Sequence, residues 1–262
     1  MAMHRNDRVA KLLVIPLLVA WSGAAAAAQP PTVAEMVARI DELHKRRDDP
    51  RALAEERTMV DEAVANMSGE YALLWRAARV YVWMGDDPGM AKEQRSRLGK
   101  MAWELAERAI PLEPNDPAAH YWAAVGMGTY ALGIGVLKAL SMGIEGKFRE
   151  RLGRAEQLSP GFERGGVGVA WGRFYERLPW PKRDRKKAVE NLRRTLTLYN
   201  PASLRARVFL AETLLHDDQP AEAKRLLDEV AAAPVGRYDA PEEKRAKLMG
   251  AALLPEVLKE LK

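Results

Sequence analysis

Histidines and paired carboxylates are the residues best suited to metal binding or proton transfer, and their spacing argues against both. Beyond the first 28 residues the chain has His44, His120 and His216, in separate segments and without the spacing of metal ligands. The acidic pairs Asp48-Asp49 and Asp217-Asp218 stand at predicted helix junctions, where acids favour the N-terminus of the next helix. The sequence therefore predicts no catalytic constellation, no metal site and no cofactor.

Two glycine-rich patterns resemble nucleotide sites but lack the required context. Gly146-Lys147 resembles a phosphate loop, yet Ser141 stands where the first glycine belongs and Phe148 replaces the magnesium-binding hydroxyl. The glycines of residues 161–172 follow no predicted strand, so a dinucleotide fingerprint fails as well. We expect a protein that is not an enzyme.

The N-terminus has the order of a secretory signal peptide. Basic residues precede the apolar run Leu12 to Trp21, and a small-residue tract ends at Ala28. This predicts cleavage after residue 28, with a retained N-terminal anchor as the alternative. The chain has no cysteine, which excludes a lipid-anchored lipoprotein and any disulfide framework. The net charge of +5 is interspersed with acids, which does not favour binding of nucleic acid.

A recurring spacing of alanine and proline indicates helical repeats. An alanine stands five residues before a proline twice, at Ala109 with Pro114 and at Ala155 with Pro160. This is the phase of a tetratricopeptide repeat, in which proline ends the second helix of each pair. Strand signals are scarce. The sequence predicts an all-α fold: a solenoid of about five tetratricopeptide-like helix pairs over residues 29–240 and a C-terminal capping helix over 241–262.

The third predicted repeat carries an apolar, glycine-rich insertion, Thr129 to Gly146. Residues Tyr121 to Ile144 contain one charge, Lys138, but a membrane span would break the repeat stack on both sides. One interpretation is two long helices buried on all sides. The other is that Tyr130 to Ile144 lines an apolar groove or an oligomer interface, since insertions in solenoids often lie on the binding face.

These patterns give two sets of candidate binding residues. The candidates for a ligand groove are Tyr121, Trp122, Tyr130, Leu137 and Leu140. The candidates for partner contact are Arg79, Arg173, Trp180 and Lys182. Trp180 stands between two prolines ahead of a basic run, either as a lid over the solenoid or as a contact for an acidic partner or anionic ligand.

Several motifs together resemble the T-component of tripartite ATP-independent periplasmic (TRAP) transporters, over roughly residues 50–232. They are His120-Tyr121-Trp122, Leu158-Ser159-Pro160-Gly161, Gly165-Gly166, Gly172-Arg173-Phe174-Tyr175, Leu178-Pro179-Trp180-Pro181 and Lys186-Lys187-Ala188. The resemblance implies a soluble periplasmic protein that forms a homotrimer and docks with a substrate-binding P-component. It also implies that the protein binds a small ligand, for which a hydrophobic molecule is the candidate. This ligand would pass toward a membrane transporter.

The leading expectation is thus a non-enzymatic binding and scaffold subunit of TRAP-type solute uptake. The alternative is a general tetratricopeptide scaffold for envelope assembly, which holds a peptide or protein in its concave face. In that alternative Arg79, Tyr121 and Arg173 do the binding, rather than the apolar insertion.

Overall fold

Twelve α-helices and no strand make up the part of the chain described by this computed structural model, residues 31–67 and 69–262. The helices are α1 (Val33–His44), α2 (Pro50–Asn66), α3 (Tyr71–Gly85), α4 (Lys92–Ala109), α5 (Pro117–Ile134), α6 (Val136–Ser141), α7 (Ile144–Leu158), α8 (Phe162–Arg177), α9 (Arg185–Arg194), α10 (Leu204–Leu215), α11 (Pro220–Ala232) and α12 (Ala240–Glu260). A π-helical segment, Thr195–Tyr199, extends α9. The predicted signal peptide, residues 1–28, lies outside the described residues.

The predicted all-α solenoid is confirmed. Consecutive helices pack in pairs, α1 with α2, α3 with α4, α5 with α7, α8 with α9 and α10 with α11. The final helix α12, where the sequence predicts a cap, packs against α10 and α11. Among the helices described, none combines the length and the apolar character needed to span a bilayer.

Aspartate followed by proline starts two of these helices. Asp49 accepts a hydrogen bond from the backbone N–H of Arg51, and Asp116 accepts one from that of Ala118. The proline that follows each aspartate occupies the first helical turn, where no N–H partner is needed. Asp49 of the pair Asp48-Asp49 therefore caps α2, as predicted.

The apolar insertion forms the last part of α5 and the short helix α6. Gly135 ends α5 with φ +94°, and Gly143 has φ +73° between α6 and α7. Both values favour glycine, because other residues rarely adopt this backbone region. The interpretation of two long helices buried on all sides is wrong, since Leu137 is 72% exposed and Met142 52%.

Glycines on α5 let this helix approach the backbone of α4. A Cβ atom added at Gly126 would lie 2.7 Å from the backbone nitrogen of Trp103, and one at Gly133 would lie 2.5 Å from that of Ser96. Both distances are too short for any side chain. The close contact of α4 and α5 fixes the direction of the inserted segment relative to the rest of the solenoid.

Buried apolar side chains form two clusters along the chain. The first extends from α1 to α8, and the second from α9 to α12. Trp171 of α8 belongs to the first and Leu192 of α9 to the second. Packing on the outer sides of the paired helices leaves the inner faces of the first helices free to frame a cavity.

Candidate functional site

A cavity of about 1920 Å³ runs along the inner faces of the repeats. The first helix of every pair, namely α1, α3, α5, α8 and α10, contributes to its wall, and so do α6 and α12. This is the concave surface of the solenoid, which repeat proteins use for extended binding surfaces.

Two helix positions recur along the wall of the cavity. Four successive first helices place Trp75, Tyr121, Val169 and Val208 at what we call the first cavity position. Four residues later, at the second cavity position, stand Arg79, Val125, Arg173 and Glu212. Residues four apart share a helix face. The residue before each member of the second set is small and buried, at Ala78, Ala124, Gly172 and Ala211, so the partner helix can pack close behind the wall.

Aromatic rings dominate the middle of the cavity. The rings of Phe148 and Phe174 stack with centroids 4.6 Å apart, and the Tyr121 ring lies 4.9 Å from that of Trp122 in an edge-to-face arrangement. Burial raises the pKa of Tyr121, so its hydroxyl stays protonated. These rings form a preformed apolar surface.

Charged side chains of the wall are paired with one another. Arg79 Nη2 lies 2.7 Å from Asp41 Oδ1. Arg173 pairs with Glu212, and its guanidinium carbon lies 4.3 Å from the centre of the Phe209 ring. Ten basic and ten acidic residues line the cavity, so it carries no net charge and does not select an anionic ligand such as nucleic acid.

The wall contains a strained stretch of backbone at the start of α8. Glu163 and Arg164 have φ +49° and +53°, and Gly165 follows with φ +85°. The left-handed region costs a residue other than glycine about 1–2 kcal/mol. The bend lets Arg164 donate to the carbonyl of Tyr238 at 2.5 Å. Glu163 contacts solvent within the cavity, yet desolvation by the surrounding walls raises its pKa, against the opposing charge of Arg79.

A histidine of the cavity wall forms a hydrogen-bonded pair with a buried glutamate. His44 Nδ1 lies 2.8 Å from Glu56 Oε1, and Glu56 has no exposed surface. Burial lowers the pKa of His44 well below its usual value and raises that of Glu56 to about 7. His44 is therefore neutral at pH 7. Glu56 is cut off from solvent, whereas His44 itself lines the cavity.

The structure brings together five of the nine predicted binding residues. Arg79, Tyr121, Trp122, Leu140 and Arg173 all line the cavity. They include the three residues of the alternative hypothesis, which lie at the two cavity positions. The binding roles of all five residues stay predictions.

Four predicted residues lie elsewhere. Tyr130 packs against Trp103, with ring centroids 6.2 Å apart, and Leu137 points outward. Trp180 is 87% exposed, so it does not form a lid over the solenoid. Lys182 Nζ pairs with Glu145 Oε2 at 2.5 Å. The first two lie outside the cavity because α5 packs closely on α4 and the chain turns at Gly135.

Sequence reasoning missed the contribution of the last repeat and of α12. Phe209 and Glu212 of α10 line the cavity, as do Leu248 and Leu253 of α12. The repeat phase alone would have found Glu212, since it stands where Arg79 and Arg173 stand in earlier repeats. No local signal marks the α12 residues, because their place depends on the path of the whole solenoid.

The fold and its concave cavity define a protein of the tetratricopeptide type. The chain is similar in structure to TTC0263, a thermophilic TPR protein of Thermus thermophilus, with a TM-score of 0.61 and 16% sequence identity over 84% of this chain and 99% of that one. The MamA protein gives a TM-score of 0.42 and 14% identity over 82% and 96%. At this identity the likeness to TTC0263 shows the fold alone.

One protein family matches part of the sequence. The model of the family "regulator of microtubule dynamics protein 1-3" matches residues 36–163, a little under half of the chain. Comparison with curated protein sequences gives no match.

The resemblance to the TRAP T-component is wrong. The family whose model matches residues 36–163 is a different one. The P-component partner and the homotrimer were implied by that resemblance alone, and neither is carried further.

Proposed function

We propose that this protein is a non-enzymatic scaffold that holds an apolar segment of a partner protein in its concave cavity. The single observation that carries the proposal is the pair of cavity positions repeated on the first helices of four successive pairs. They place aromatic and aliphatic side chains next to paired charges along the cavity wall. Such a surface suits an amphipathic helix, whose apolar residues also recur every three or four positions.

The size of the cavity favours a polypeptide over a small ligand. Pockets for small molecules measure about 300–1000 Å³. The cavity here has about 1920 Å³ and extends past five helix pairs. The charges on its wall are balanced, so recognition rests mainly on apolar burial, with polar ends of the segment meeting the ion pairs at the rim.

The same proposal places the protein outside the cytoplasm, in the periplasm, as a scaffold for assembly of the cell envelope. Its support is the order of residues 1–28, which has the features of an export signal. Fractionation of the host cell and determination of the mature N-terminus test this part. A chain that starts at Met1 and stays in the cytoplasm would contradict it.

Site-specific photocrosslinking in the host tests the binding site. A photoreactive amino acid at Val125, in the cavity wall, should give a discrete protein adduct, and one at Leu112, a 43% exposed residue outside the cavity, should not. The change Val125→Glu should abolish capture of the same partner, while Leu112→Glu leaves it intact and both variants keep the helical circular dichroism spectrum.

Two results would overturn the proposal. One is an adduct pattern that is the same at both positions. The other is native mass spectrometry in which the purified protein retains a small apolar molecule, lost in Val125→Glu, with no protein partner crosslinked.

A further inference from the structure

Three large apolar side chains are exposed on α6, just after it, and on the turn between α8 and α9. Leu137 and Met142 belong to α6 and its end, and Trp180 belongs to the turn between α8 and α9. Their exposed fractions are 72%, 52% and 87%. We call these three residues the Trp180 patch.

An ion pair holds the two segments of the patch next to each other. Lys182, two residues after Trp180, lies with Nζ 2.5 Å from Oε2 of Glu145. Glu145 stands in the first turn of α7, three residues after Met142. The ion pair therefore brings the two segments that carry the patch together.

The turn that carries Trp180 is ordered by its own hydrogen bonds. The backbone N–H groups of Lys182 and Arg183 donate to the carbonyl of Pro179 at 2.9 and 3.1 Å. Arg183 Nε donates to the carbonyl of Leu178, a residue that is 3% exposed. The buried leucine anchors the turn while the indole projects outward. Exposing a large apolar ring to water is unfavourable, and burial of that ring at a binding surface removes this unfavourable exposure.

Basic residues surround the patch. Residues 136–147 and 179–187 together contain seven lysines and arginines and two acids. These two segments therefore carry an excess of five positive charges. The two segments are thus basic, whereas the charges of the cavity wall are balanced.

We propose that the Trp180 patch binds the surface of an anionic phospholipid bilayer. Tryptophan is favoured at the boundary between headgroups and acyl chains, because its ring is apolar and its N–H is polar. Leu137 and Met142 add apolar area beside it, and the lysines meet the phosphates. None of the three patch residues lines the cavity, and side chains that project outward suit a fluid surface better than an acidic peptide.

The proposal also orients the cavity relative to the bilayer. Val136, Leu140 and Leu178 line the cavity, and each is a near neighbour in sequence of a patch residue. Contact through the Trp180 patch brings this part of the cavity lining toward the bilayer. This inference rests on exposure and charge outside the cavity, so it stands or falls independently of the proposed scaffold function.

Vesicle sedimentation tests the proposal. The protein is expressed from its full sequence, purified after export, and checked by intact mass so that all variants share one N-terminus. It is mixed with vesicles of phosphatidylcholine alone, or of phosphatidylcholine with phosphatidylglycerol. We expect binding to the anionic vesicles only, weakening as salt is added.

Matched variants locate the contact. Trp180→Ala should lower partitioning about tenfold through lost apolar burial. Lys186→Gln should lower it about fivefold through one lost charge near the surface. Leu198→Gln, at a 64% exposed residue beyond the far end of α9, and Lys259→Gln, on α12, should leave it unchanged.

Three results would overturn the inference: no binding to anionic vesicles, equal binding to both kinds of vesicle, or equal losses in the patch and control variants. Capture of an acidic protein that depends on Trp180, without vesicle binding, would also overturn it. All four substituted side chains are exposed, and a matching thermal unfolding curve confirms that each variant is folded.

Discussion

The guanidinium carbon of Arg245 lies 3.2 Å from the centre of the Trp83 ring, although the two residues are 162 positions apart. Arg245 Nη1 also donates to the carbonyl of Trp83 at 2.8 Å. The guanidinium of Arg47 lies 4.3 Å from the same ring, and the indole N–H donates to the carbonyl of Arg47 at 3.1 Å. Trp83 therefore joins α12 to the first two repeats.

Further polar contacts join α12 to the first repeat. Arg47 pairs with Asp239 at 2.7 Å, and Lys244 pairs with Asp48 at 2.5 Å. The start of α12 thus reaches the turn after α1. Because Asp48, Trp83 and Arg245 all line the cavity, these contacts connect opposite sides of its wall.

Removing Arg245 should destabilise the whole protein. Arg245→Ala deletes the contact with the Trp83 ring and leaves a carbonyl without its donor, for a loss of about 2–3 kcal/mol in the free energy of unfolding. Urea denaturation followed by circular dichroism measures it. Lys259→Ala, at an exposed position near the end of α12, should change the value by less than about 0.5 kcal/mol. Equal effects of the two changes would show that the contact with Trp83 contributes nothing.

Replacing a partly buried arginine should lower the free energy of unfolding far more than replacing an exposed one. Arg205 pairs with Asp86 at 2.5 Å and with Glu242, and its side chain is 16% exposed. Arg205→Leu leaves two carboxylates without this partner and should cost about 3–5 kcal/mol of stability.

The exposed pair of Arg39 and Glu55 provides the control for this prediction. Their side chains are 46% and 49% exposed. Arg39→Leu should therefore cost less than about 1 kcal/mol in the same urea experiment. A loss at Arg39 as large as that at Arg205 would contradict the role given to burial.

The repeat phase predicted the helix pairs and part of the cavity because both depend on short spacings. Small residues such as Ala78 and Gly172 mark the buried helix face, and this places Arg79 and Arg173 on the wall. The contact of Trp83 with Arg245 could not be predicted, since it depends on the accumulated rotation of five repeats. The outward direction of Leu137 was missed because a single positive φ at Gly135 sets it.

The buried Glu56 should make stability depend on pH. Burial raises the pKa of Glu56 to about 7, above its ordinary value of 4.5. The folded state then holds a proton that the unfolded state has released between these pH values. This contribution to stability is fully present below pH 4.5, decreases as the pH rises from there to about 7, and is absent above it.

The variant Glu56→Gln removes this titration. Relative to the unchanged protein, its free energy of unfolding should therefore rise by about 3 kcal/mol between about pH 4.5 and about pH 7.5. Urea denaturation at a series of pH values gives this difference. His44 titrates in the opposite direction, because burial lowers its pKa, so the comparison between the two proteins is more informative than either curve alone. A difference that stays constant with pH would refute the assignment to Glu56.

Two glycines in neighbouring helices should respond to alanine in opposite directions. At Gly126 the added Cβ would lie 2.7 Å from a backbone nitrogen of α4, so Gly126→Ala must push α4 and α5 apart at a cost of about 1–3 kcal/mol. At Gly153, within α7, nothing lies within 4 Å of the added atom. Gly153→Ala should instead stabilise the protein by about 0.5–1 kcal/mol, because alanine favours the helix. Thermal unfolding measures both, and a destabilised Gly153→Ala would mean that helix propensity does not explain the pair.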